Sequence, residues 1–141
     1  MKKLMILVIV AALFNKAGFS QPNDRFKNMV GSWEIISNQD PGGKLDVIDS
    51  NTIVIKYMGD EKKLTGCKID FSKSPFWFDF SAKDTSSAAS SFKSIFEFIN
   101  DDTMRWEIFE DGNRQDHFTS DKGELLYLRR AVAKPTVVAA N

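Results

Sequence analysis

One histidine, one cysteine and a scatter of carboxylates are the side chains whose chemistry asks for attention first. His117 lies in "NRQDHFT" with Asp116 beside it. An imidazole next to a carboxylate has the parts of a general base, and a lone histidine can also ligate haem. No second ligand accompanies it, so the expectation is an exposed surface histidine. Zinc takes three or four ligands drawn largely from His and Cys. His117 and Cys67 are single and distant, and no metal site is expected. The turn pairs Asp101-Asp102 and Glu110-Asp111 lack the alternating Asp/Asn spacing with a terminal Glu that a calcium loop uses. No Ser-His-Asp order, glycine-rich phosphate loop or nucleophile elbow is present. The expectation is a non-catalytic protein without a cofactor.

Two further kinds of residue are judged by the strands that carry them. Cys67 in "KLTGCKIDF" alternates with Thr65, Ile69 and Phe71. That pattern predicts a small buried side chain rather than a reactive thiol. Asp79, Glu97 and Glu107 interrupt apolar strands, and alternation turns them outward. Glu107 and Arg105 share a face of one strand, so an exposed cross-strand charge ladder is expected there.

Nearly every apolar cluster after Val30 has period two, the mark of half-buried strands. They are "GSWEI", "NTIVIKYM", "KLTGCKIDF", "FWFDF", "SFKSIFEFI", "TMRWEIFE" and "ELLYLRR", with "RQDHFT" as a short extra candidate. Turn residues separate them at Pro41-Gly42-Gly43, Gly59-Asp60, Ser74-Pro75, Asn100-Asp101-Asp102, Asp111-Gly112-Asn113 and Asp121-Lys122-Gly123. Connections this short imply antiparallel neighbours. The predicted fold is therefore all-β: an antiparallel up-and-down β-barrel of about eight strands, closed on itself so that no edge is left. "PNDRFKNM" predicts a short N-terminal helix with Asn23 or Asp24 as its cap. "KDTSSAASS" reads as a loop or a single helical turn.

Twelve Phe and three Trp make the chain rich in aromatics. Phe76, Phe78 and Phe80 share one face of "FWFDF", and Trp77 and Asp79 share the other. Rings on such a face either fill a small barrel or line a cavity within it, because eight strands admit both outcomes. If a pocket exists, alternate positions of the middle strands place Tyr57, Phe78, Phe96, Phe98 and Trp106 around it. Tyr57 and Trp106 would then each offer one directional hydrogen bond in a mostly apolar site.

Residues 1–20 read as a secretory signal: Lys2 and Lys3, an apolar run from Leu4 to Phe14, then Gly18 and Ser20 before a cleavage point at Gln21. The run is short for a membrane span, which takes about 20 residues. Processing would leave a single domain over 21–130 and a loose tail over 131–141. It would also remove Lys2, Lys3 and Lys16 from a chain of 19 basic and 19 acidic residues, so the mature protein is net acidic. An acidic surface disfavours nucleic acid and anionic membranes as partners. The expected location is extracytoplasmic, periplasmic or secreted, and the expected state is a monomer without stable membrane insertion.

Gly31-Ser32-Trp33 on the first strand, after a short helical lead-in, resembles the Gly-x-Trp signature of lipocalins. The segments "KIDFSKSPFWFDF" and "EDGNRQDHFTSDKGELLYLRR" are similar to the small bacterial lipocalin-like domains of exported proteins. The likeness runs from Phe26 to Arg130. It implies a barrel closed at one end, where Trp33 is a plug and a basic residue of the last strand, Arg129, packs over it. Gly31 would allow another backbone to approach the indole closely. The chain departs from larger lipocalins in lacking a helix after the barrel. Residues 38–49 are also too few for the two-helix lid of fatty-acid-binding proteins. The resemblance implies binding of a small hydrophobic ligand at the mouth. Its rival is a filled barrel acting as an extracytoplasmic interaction or structural module without ligand.

Overall fold

The computed structural model describes residues 22–37, 42–83, 88–109 and 112–132. The predicted leader over 1–20, most of the predicted tail and part of the "KDTSSAASS" loop lie outside them. One helix, α1 (Pro22–Met29), precedes eight strands: β1 (Gly31–Ile35), β2 (Lys44–Asp49), β3 (Thr52–Tyr57), β4 (Asp60–Asp70), β5 (Phe76–Ala82), β6 (Ser90–Asn100), β7 (Thr103–Phe109) and β8 (Glu124–Arg130). Each strand pairs antiparallel with the next, and β8 returns to β1 through Trp33↔Arg130, Glu34↔Arg129 and Ile35↔Leu128. The result is a closed up-and-down barrel, as the alternation and short turns predict. The helix starts at Pro22, a residue suited to the first helical position, so it begins one or two residues earlier than expected.

Alternation decides what fills the barrel. Trp33, Leu45, Ile53, Leu64, Phe78, Phe96, Met104, Trp106 and Leu128 are all buried in one interior cluster. Strand β4 breaks the simple pattern at Gly66. Its φ of +59° belongs to the left-handed region, and the pairing with β5 shifts between Thr65 and Lys68. One extra residue there is a β-bulge, which reverses parity along the rest of the strand. Leu64 points inward before the bulge, and Cys67 and Ile69 pack on the core after it. Thr65 is exposed and donates to the Ser81 carbonyl, so it does not share a face with Cys67 as strict alternation predicts.

No helix among the described residues is long and apolar enough to cross a membrane.

Candidate functional site: a sealed end and an open mouth

The two ends of the barrel are built differently. At the first, α1 lies across the opening. Arg25 donates to the Phe71 carbonyl at 3.0 Å, and Met29 is buried. Trp33 is fully buried and its indole N–H donates to the Met29 carbonyl at 2.9 Å. A guanidinium sits 4.3 Å from the Trp33 ring centroid, and it belongs to Arg130. Its nitrogens also donate to the carbonyls of Asn28 (2.8 Å), Val30 (2.9 Å) and Asp101 (3.3 Å). One side chain thus ties the lead-in from α1 to the β6–β7 turn across the face of the indole.

The expected partner, Arg129, is on the other side of the strand. It is 66% exposed and lies 3.5 Å from Glu34. The reason is parity: Arg130 shares its side of β8 with Leu128, and Arg129 shares the outer side with Tyr127. Gly31, at φ +129°, makes room for this arrangement, because a Cβ there would stand 2.9 Å from an Arg130 nitrogen. What approaches is therefore a guanidinium and not another backbone.

At the opposite end lies a cleft of about 720 Å³. Ile35, Ile55, Phe80, Phe92, Ile108 and Leu126 line it, with Tyr57, Asp60, Lys62 and Glu124 around the rim. Phe80 and Phe92 stack at 5.2 Å and 23°, and Trp106 packs beneath Phe80 at 5.6 Å.

Of the five residues expected around a pocket, Tyr57 lines this cleft and is 49% exposed. Phe78, Phe96 and Trp106 lie deeper, buried in the packed interior. Phe98 is nearer the sealed end, 6.1 Å from Trp33. The Trp106 N–H is also already used. It donates to Ser94 Oγ at 2.7 Å, and that hydroxyl donates to the Phe78 carbonyl at 2.5 Å. A buried polar relay of this kind satisfies both side chains internally. The residues missed were the inward positions one or two steps nearer the strand ends, such as Phe80, Phe92 and Ile108. Period two identifies them as inward-facing, whereas depth along the barrel follows from strand register.

The single-copy groups sit away from the mouth lining. His117 is 71% exposed, 2.6 Å from a still more open Asp116, whose carboxyl is held below its ordinary range chiefly by that hydrogen bond. Burial pushes the Cys67 thiol up, away from the reactive thiolate. No group of three or more His, Cys, Asp or Glu among the described residues is arranged to hold a metal.

Segment 112–123 is not a strand, contrary to the expectation for "RQDHFT", and crosses the outer wall of β5–β7 instead. Arg114 lies 3.9 Å over the Trp77 ring and pairs with Asp79, and Phe118 lies 3.9 Å from the Arg105 guanidinium. Glu107 faces out of the barrel, as predicted, yet it is fully buried beneath this segment. Its carboxyl oxygens accept from the Thr119 hydroxyl (2.6 Å) and from the N–H groups of Thr119 (2.9 Å) and Ser120 (3.1 Å). Arg105 pairs with Glu97 on β6 and leaves Glu107 to segment 112–123, so the expected exposed ladder through Glu107 is not formed. Ile95 and Phe109 are buried on the same outer face, apart from the interior cluster.

Set against protein-family models, curated proteins and solved structures, the chain matches none of them.

Proposed function

We propose that this chain is an exported, monomeric, lipocalin-like protein that binds a small hydrophobic molecule at the open mouth of its barrel without altering it chemically. The observation that carries this reading is the asymmetry of the ends: a plugged, hydrogen-bonded floor at Trp33 and Arg130, and an apolar cleft with a polar rim opposite. A concave, mostly apolar site of several hundred Å³ with few polar groups is the usual form of a small-molecule pocket. Export is proposed from residues 1–20, and neither nucleic acid nor an anionic membrane is a partner in this reading. Native mass spectrometry of protein purified gently from its producing cell tests it. A co-purifying small mass that is lost on denaturation is the expected result.

The second reading, a filled barrel serving as an interaction module, draws support from the close burial of Phe78, Phe96 and Trp106. A clean mass, together with failure of apolar probes to bind, would favour it.

A further inference from the structure

We infer that the mouth accepts compact, ring-sized amphipathic molecules and excludes long acyl chains. This inference rests on the binding reading above and adds a size and shape to the ligand. Phe80 is the β5 ring that lines the cleft. Directly beneath it the interior is full: Phe78, Phe96, Met104 and Trp106 are each at most 1% exposed. This floor is not easily displaced. Trp106 is held by the Ser94 relay to the Phe78 carbonyl, so moving its ring would strand a buried donor.

The wall above the floor is short. From Phe80 to the end of β5 at Ala82, and from Phe92 to the end of β6 at Ser90, there are two residues. At about 3.3 Å per residue each wall rises about 7 Å, less along the axis because barrel strands tilt. An extended palmitoyl chain is much longer than that and would leave most of its methylenes in water. A fused-ring compound lies within this depth and meets apolar contacts on both sides, from the Phe80–Phe92 stack and from Ile55, Ile108 and Leu126. Tyr57, Asp60 and Glu124 are exposed at the rim, and Lys62, paired with Ile55 on β3, is half-buried just inside it. The ligand's polar substituent therefore faces outward and its ring faces down.

A competition experiment on the purified protein tests this. Aminoanthracene is titrated in and followed by its fluorescence, then challenged with naphthol or with palmitate below its micellar concentration. Saturable binding, displaced by naphthol and unaffected by palmitate, is expected. Phe80→Ala lowers the floor, and palmitate competition should improve about tenfold as further chain carbons become buried. Palmitate displacing the probe from the wild type as well as naphthol does would overturn the size limit and leave the binding reading standing. If neither aminoanthracene nor naphthol binds, the binding reading itself fails. A folded Phe80→Ala protein with no gain for palmitate would show that Phe80 is not the floor. Should that variant not fold, the wild-type comparison decides alone.

Discussion

Trp33 and its cation show how much one residue's parity matters. Both arginines that end β8 are adjacent in sequence, yet Arg130 is 32% exposed over the indole and Arg129 is 66% exposed beside Glu34. Their substitutions should differ sharply. Arg130→Ala removes a cation–π contact and several bonds to main-chain carbonyls, and about 2–3 kcal/mol of stability should go with them. Arg129→Ala loses only a surface ion pair, for which about 0–1 kcal/mol is expected. Urea denaturation midpoints of the two variants give the comparison, and equal losses would refute the assignment. The distinction was legible in "ELLYLRR", where Leu126, Leu128 and Arg130 alternate together. The resemblance to lipocalins points to a basic residue at this place, but the period of two chooses between the neighbours. Glu107 was not legible in this way. Alternation correctly turns it outward, but burial there depends on a segment twelve residues further along the chain, which no local pattern reveals.

At the scale of elements, that segment behaves as a strap on the barrel wall. Glu107 is its central anchor, with Arg114 on Trp77 and Asp79 toward one end. Glu107→Ala leaves the Thr119 and Ser120 N–H groups without their acceptor, and a loss of about 2–3 kcal/mol is expected. Hydrogen exchange should locate it: amides of 112–123 lose protection while the β2–β4 strands keep theirs. Uniform loss of protection over the barrel would mean the strap is integral to the closed sheet. Strand β4 carries a second element-level device. A Cβ at Gly66 would meet only Ser81 Oγ at 3.9 Å, so space is available and the backbone angle alone resists substitution. Gly66→Ala should therefore cost about 1–2 kcal/mol through its left-handed conformation, measurable by thermal denaturation. A neutral outcome would show that the bulge can relax. Seven of the eight strands were marked by hydrophobic alternation in the sequence. The exceptions have physical causes: the bulge conceals a parity change within "KLTGCKIDF", "RQDHFT" is held by side-chain anchors instead of a ladder, and in "KLDVID" the alternation of Leu45 and Val47 is broken by Ile48, where the pairing with β3 shifts.

On the scale of the whole molecule, the barrel divides its work by depth. The sealed end and the packed middle carry stability, and the last inward residue or two of most strands shape the mouth. Closure and strand direction follow from short turns and period two, but the boundary between filled interior and cleft depends on how strands are staggered around the barrel. That is why Phe78, Phe96 and Trp106, correctly read as inward, belong to the core, and Phe80 and Phe92 belong to the mouth. The division can be tested with two substitutions of opposite character. Leu128→Ala empties a fully buried site on β8 and should lower stability by about 2–5 kcal/mol. Because Leu128 lies outside the cleft lining, aminoanthracene affinity should stay within about twofold, since little of the ligand's buried area changes. Ile108→Trp places an indole ring in a half-buried position lining the cleft, where added bulk projects into open volume and strains the core little. Its denaturation midpoint should stay near that of the parent while probe binding is lost. If instead Leu128→Ala abolished binding in a still-folded protein, or Ile108→Trp left affinity intact, stability and recognition would not be separated by depth, and the mouth would not be the binding site.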